Sequence, residues 1–361
     1  MLLEKVLFLS LLAYPALCAN YSCNCNYSTV WNDVIFLFDA SEATTAKGLE
    51  ELWASAQTIL EWFNVQNMNY TESPYHMRVG VIVYASNVQI VSDLGEWDGK
   101  QFQGQNTLPF FSGDTGTNIR DAIAEGIRQF DGPAHRNTSR RVMILMGTAY
   151  DPSNGSSPLQ ISQIFKADDG ILMIYDYVQT HGSLSPYLKP LASPDYYFNN
   201  VNNTLVDIQN ALCDANCFCL PNYHSFEDDW RGSPMDGCYR SVDTQANFRR
   251  AGDDCSLSGS VLSFDNSPEK TAFLASQFTS PKDFLIGLSY NNQTGLWEWT
   301  DGTPLRQDYE PWMDGHEPKA DSGSNCASVT TNLQWVATNC KYGYVYVCQK
   351  LPCDSTNWCV F

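Results

Sequence analysis

The stretch from Phe284 to Thr303, FLIGLSYNNQTGLWEWTDGT, constrains the fold more than any other part of this chain. Its short apolar run, Phe284, Leu285, Ile286 and Leu288, has the length and make-up of a buried strand. The turn formers Asn291, Asn292 and Gly295 follow, and then the alternation Trp297-Glu298-Trp299. Side chains two residues apart share one face of a strand, so both indoles are predicted to point the same way. Asp301-Gly302 then supplies the positive-φ position of a tight turn.

At 361 residues the chain can build two cores of ordinary size. Its thirteen cysteines need an oxidising compartment, and the N-terminus provides the route. Lys5 precedes the apolar run Val6 to Leu17, and Ala16-Leu17-Cys18 offers small residues at a cleavage site. Residues 1–18 therefore read as a secretory signal peptide, too short for a membrane span. Cleavage leaves twelve cysteines, an even number suited to disulfides. Seven N-x-[ST] sequons, at Asn20, Asn26, Asn69, Asn137, Asn154, Asn202 and Asn292, fit a secreted, glycosylated chain. No later segment approaches ~18 unbroken apolar residues, and Cys353 to Phe361 lacks the tail of a lipid-anchor signal. The expectation is an extracellular protein without a transmembrane span. A formal charge of −19, with only the basic pairs Arg140-Arg141 and Arg249-Arg250, disfavours nucleic acid and anionic membranes as partners.

In the first half, apolar runs at 33–39, 78–84, 142–146 and 171–175 alternate with helically spaced segments at 44–63, 121–130, 159–165 and 205–212. Val88 to Leu94 reads as a hairpin partner. Buried strands alternating with helices predict an α/β, doubly wound, mostly parallel sheet, with ligands at the carboxyl ends of its strands. Asp39-Ala-Ser41, RVGVIVY at 78–84 and GTNIRDAI at 116–123 resemble a von Willebrand factor A domain. The resemblance implies a Mg2+ site through Asp39, Ser41 and Thr117. Two positions depart from the pattern: Ala43 stands for a serine and Thr148 for an aspartate. A hard divalent ion wants near-octahedral oxygen, so these losses thin the set; Glu42, Asp114 and Asp151 are the acids close enough in sequence to compensate. Asp114-Thr115-Gly116 matches an aspartic-protease tripeptide, but that chemistry needs a second copy and none exists.

The second half carries Gly237-Cys238-Tyr239, a helical pattern from Thr244 to Asp254, Gly259-Ser-Val-Leu-Ser263, a helix at Pro268 to Ser276, and Cys326, Cys340 and Cys348. Pro221 to Asp236 reads as an inserted loop. Together with the double-tryptophan segment these features resemble a C-type lectin-like domain, an α+β disulfide-bonded fold. The resemblance implies the pairs Cys219–Cys238, Cys255–Cys348 and Cys326–Cys340. Cys23, Cys25, Cys213, Cys217, Cys353 and Cys359 stay unassigned, with a link between the first two and Cys213 and Cys217 one option. The domain plan is an N-terminal cysteine segment at 19–29, the A-like domain at 30–213, the lectin-like domain at 214–350 and a cysteine-bearing tail at 351–361.

In calcium-dependent relatives a Glu-Pro-Asn or Gln-Pro-Asp loop, a later acid and a Trp-Asn-Asp strand hold the ion that grips sugar. Here the corresponding residues are Glu317-Pro318-Lys319, Ser324 and Trp335-Val336-Ala337. Ca2+ needs six to eight oxygens, and only Glu317 keeps a matching one, so Ca2+ is not expected. Sugar stacking on an exposed ring such as Trp312 is the metal-free alternative.

The pair of modules resembles the secreted nematode proteins that join these two domains and are linked to defence against microbes. That implies recognition of microbial or host glycans or glycoproteins. The competing reading is a matrix or adhesion component that contacts protein through the A-like domain. With five histidines (76, 135, 181, 224 and 316), no G-x-S-x-G elbow and no paired catalytic motif, an enzyme is not expected.

Overall fold

The computed structural model describes residues 23–106, 111–150, 157–179, 182–226, 228, 231–306, 308–316 and 323–359. Continuous apolar runs become strands buried on both faces. The strands β1 (Asp33–Asp39), β2 (Arg78–Tyr84), β4 (Arg141–Gly147) and β5 (Ile171–Asp176) run parallel, β3 (Val88–Ser92) is antiparallel to β2, and the short β6 (Tyr197–Asn199) extends the other edge. The order β3-β2-β1-β4-β5-β6 is doubly wound. Alternate residues of β1 enter separate cores: Val34, Phe36 and Phe38 pack on one side, Ile35 and Leu37 on the other.

Helices cover both faces. α1 (Thr45–Leu60) turns Leu49, Leu52, Trp53, Ala56, Ile59 and Leu60 inward, at the spacing of one helical stripe. α5 (Leu205–Ala215) packs beside it. On the opposite face lie α3 (Ile119–Phe130), capped by the Asn118 side chain, and α4 (Leu159–Ala167). A short helix, α2 (Gly99–Gly104), has a capping box between Asp98 and Gln101. Neither α2 nor β6 is foreseen by sequence. α2 buries only Phe102, and β6 has three residues, too few to show a period.

The second unit has the sheet order β13-β12-β10-β14-β8-β7. Its elements are β7 (His224–Ser225), β8 (Cys238–Ala246), α6 (Phe248–Leu257), β9 (Val261–Leu262), α7 (Pro268–Ser276), β10 (Phe284–Asn291), β11 (Leu296–Trp299), β12 (Cys326–Val329), β13 (Trp335–Thr338) and β14 (Tyr344–Lys350). The two strands and the turn between them form the hairpin β10–β11, in which Leu288 pairs with Trp299 and Tyr290 with Trp297, and both tryptophans are buried on its inner face. Gly302 takes φ 85° in the turn after it, where a side chain would be strained.

Two expectations are corrected here. Thr244 to Ala246 belong to β8, and the helix begins at Phe248, because Asn247 caps it by accepting from the Arg250 amide. The 221–236 segment is not all loop: β7 pairs with β8 there. Among the described residues six disulfides join Cys23–Cys217, Cys25–Cys213, Cys219–Cys238, Cys255–Cys348, Cys326–Cys340 and Cys353–Cys359. Among the described residues no helix is long and apolar enough to cross a membrane.

Candidate functional site

The carboxyl end of the first sheet brings Asp39, Ser41 and Thr117 together with residues that sequence reasoning passed over. Tyr84 pairs with Asp39 across β1 and β2, and Gly147 pairs with Asp176 across β4 and β5. These residues end their strands in one row. A side chain at Gly147 would lie 2.7 Å from the Tyr84 hydroxyl and 3.1 Å from Asp39 Cβ, so glycine is what lets the phenol reach over the row. The signal was present: three of the four apolar runs end on a polar residue, Asp39, Tyr84 and Asp176, at the rim where such sheets bind ligands.

Burial pushes the Asp39 carboxyl above its ordinary range; the Ser41 and Thr44 hydroxyls and the Ser41 and Thr148 amides pull the other way. Oδ1 accepts from the Ser41 amide at 3.0 Å, and Oδ2 accepts a longer contact from the Thr148 amide at 3.4 Å. The Thr148 hydroxyl lies 2.9 Å from that of Thr44. Ser41 Oγ and Thr117 Oγ1 are buried without a well-aligned hydrogen bond. Glu42 and Asp114 are linked through backbone, amide to carbonyl at 2.7 Å, while both side chains are exposed. Asp151 lies outside the described residues.

The donor set does not fit Mg2+. It offers one carboxylate whose oxygens already face backbone amides, and hydroxyls for the rest. Asp176, also raised by burial, is held by the Tyr197 hydroxyl at 2.7 Å and the Ser185 amide at 2.9 Å. Among the described residues no three His, Cys, Asp or Glu side chains are grouped as a metal site.

In the second unit the residues expected at a sugar site, Glu317-Pro318-Lys319, lie outside the described residues, whereas β13 and residues 311–313 are described. Trp335 is fully buried, and its Nε1 donates to Asp265 Oδ2 at 2.7 Å. The Trp335 amide donates to the Pro311 carbonyl and its carbonyl accepts from Met313, which straps the approach to the loop onto β13. Val336 and Ala337 bring no oxygen beyond the backbone. Trp312 is half-buried, 5.1 Å from the Trp297 ring and 5.4 Å from that of Trp335, with Nε1 buried. It forms the edge of the aromatic core instead of the exposed platform expected from sequence.

Asp265 is the hub beneath this strand. It also accepts from the Thr271 hydroxyl at 2.7 Å, which meets the Tyr309 hydroxyl at 2.6 Å. Burial raises its carboxyl to about 6 against the lowering effect of these donors and of Lys270. Lys270, itself buried, pairs with Asp236 at 2.7 Å and lies 5.1 Å above the Tyr239 ring. Asp265 and Lys270 sit among ordinary loop and helix residues, so no sequence pattern marks them. Of the glycan acceptors, Asn26, Asn69, Asn137, Asn202 and Asn292 are exposed, and Asn20 and Asn154 lie outside the described residues.

Residues 33–211 match the family model of the von Willebrand factor type A domain, and residues 244–350 match that of the lectin C-type domain. The chain thus carries a von Willebrand factor type A domain and a lectin C-type domain in one polypeptide. It is similar over 93% of its length to C-type lectin domain-containing protein 160 of Caenorhabditis elegans, at 21% identity, and covers 56% of that protein. The hepatic lectin of Gallus gallus is 33% identical over 113 residues, which are 31% of this chain and 54% of that one. The chain thus spans about half the length of these relatives. Among solved structures, the mouse scavenger receptor C-type lectin carbohydrate-recognition domain is 27% identical over 37% of this chain and 96% of its own, with a TM-score of 0.31.

Proposed function

We propose that this is a secreted, glycosylated recognition protein whose lectin module binds microbial or host glycans or glycoproteins without the Ca2+ set of calcium-dependent lectins, in a defence role. The observation that carries the reading is β13. Trp335 is locked in the core by Asp265, and the next two side chains are hydrocarbon, where an ion would need amide or carboxylate oxygen. The lectin relatives support ligand recognition, the exposed sequons support glycosylation, and the six disulfides suit an oxidising compartment.

The test is retention of the purified protein on mannose, galactose and microbial polysaccharide resins, with Ca2+ and with EDTA. The expected result is retention on at least one resin that EDTA does not change. Retention that requires Ca2+ overturns the metal-free reading. Binding only to protein partners stripped of glycan transfers the function to adhesion through the A domain.

A further inference from the structure

The amino end of the first sheet, opposite Asp39, holds a half-buried cation without an ion-pair partner among the described residues. Arg140 immediately precedes β4, and its carbonyl accepts from the Asp33 amide at 3.0 Å, so its backbone is fixed by the sheet. Its guanidinium lies 5.6 Å from the Phe218 ring centre, at the entry to the second unit. Nε is buried and bonds to nothing, and among the described residues the side chain makes neither hydrogen bond nor ion pair. Burial lowers its pKa, and Asp169 acts on it only through space.

The surrounding acids are engaged elsewhere or too distant for contact. Asp33 accepts from His135 at 2.8 Å and from Arg136 at 2.5 Å. Asp168 pairs with Arg141 at 2.7 Å. Asp131 and Asp169 line the cleft without contacting the Arg140 guanidinium. Arg140 is half-buried: its Nε is out of contact with water, while its terminal amines reach the cleft and stay available to a group of opposite sign. The cleft in front of Arg140 has a volume of about 450 Å³ and is bounded by Asn137, Thr138, Ser139 and Pro221. Ser139 is 8% exposed, and its Oγ also has no partner.

We propose that this cleft between the two domains is a binding site for a small oxyanion group, a sulfate ester or the carboxylate of an acidic sugar, received by the Arg140 guanidinium and the Ser139 hydroxyl. A planar guanidinium offers paired donors matched to such a group. In a chain of charge −19 general attraction of anions is weak, so binding here depends on this local pairing. The proposal does not rest on the glycan reading of the lectin domain. The Asn137 acceptor stands at its rim, so a glycan there would border the entrance.

The test is calorimetric titration and thermal denaturation of the full chain with sodium sulfate and with sodium glucuronate, against sodium chloride at equal ionic strength. The wild type is expected to bind one equivalent and to gain about 2 °C in Tm at tenfold saturation over the chloride control. Sulfate binding without glucuronate points to sulfated ligands, and the reverse to acidic sugars. Arg140→Gln should abolish the anion-specific gain and leave the chloride Tm unchanged or higher. Arg141→Gln, which removes a paired charge, should keep the gain. Ser139→Ala should weaken binding several-fold. No anion-specific heat in the wild type overturns the proposal, as does an equal gain in Arg140→Gln. If Arg140→Gln does not fold, Arg140→Lys serves: it should lose most of the affinity, and unchanged affinity contradicts the site.

Discussion

A carboxylate inside a protein is tolerated according to its donors, and Asp265 and Asp39 illustrate two balances. Asp265 has two strong donors, yet burial still lifts it to about 6. Because its folded pKa exceeds its unfolded one, the folded state holds the extra proton between 3.8 and about 6. Its contribution to stability therefore falls as pH rises through that window, by up to about 1.4 kcal/mol per pH unit. Asp265→Asn should remove this slope from urea denaturation of the second unit measured from pH 4 to pH 7. His76 acts with the opposite sign in the first domain. Burial and the Arg136 charge lower it to about 4, so stability is lost as pH falls from 6.5 toward that value. Asp39 is raised by burial and meets no second carboxylate in its own loop set. Asp39→Asn should keep or raise the Tm of the first domain, and Mg2+ at 10 mM (about a saturating level for weak sites) should shift neither protein. A Mg2+-dependent rise in the wild type that vanishes in Asp39→Asn would show that the hydroxyls suffice as ligands.

At the scale of elements, the packing that fixes the rim is β2–β1–β4–β5, and Gly147 is its tightest point. Gly147→Ala puts a methyl against the Tyr84 hydroxyl and Asp39 Cβ. It should cost about 1–3 kcal/mol in chemical denaturation, the range for overpacking, and Gly147→Ala with Tyr84→Phe should recover part of it. A variant as stable as wild type would mean that the row is loosely packed. Strands and amphipathic helices of both units were legible because their period is set by burial. DVIFLFD and RVGVIVY admit hardly any alternative, and Trp297 and Trp299 share a face by geometry alone. Short or polar elements were not. β6 and β7 owe their existence to edge pairing with Ile174–Asp176 and with Cys238–Tyr239, partners distant or unmarked in sequence. The helical pattern read from Thr244 begins too soon because β8 runs on to Ala246, which pairs with Tyr344, a partner distant in sequence, and Asn247 then caps the helix.

The candidate sites were legible in part for the same reason. Asp39, Ser41 and Thr117 are marked by motif; Tyr84, Asp176, Asp265 and Arg140 become meaningful only when distant segments meet. Across the whole molecule the ends are tied back. Cys23 and Cys25 bond to Cys217 and Cys213, and Phe218 exchanges backbone hydrogen bonds with Cys353 at 2.9 and 3.1 Å. Trp358 stacks on Tyr75 at 4.5 Å, so the tail after the lectin unit returns to the A domain. Two modules held in this way present fixed surfaces, and the proposed function assigns recognition to such surfaces and not to a bound ion.

The most direct measurement is calorimetric titration of Ca2+ into the intact, EDTA-stripped protein, compared with Glu317→Gln. No stoichiometric heat should develop at millimolar Ca2+ in either protein, because Lys319, Ser324, Val336 and Ala337 leave Glu317 without the company a six- to eight-oxygen shell demands. One equivalent bound in the wild type and lost in Glu317→Gln would contradict the account.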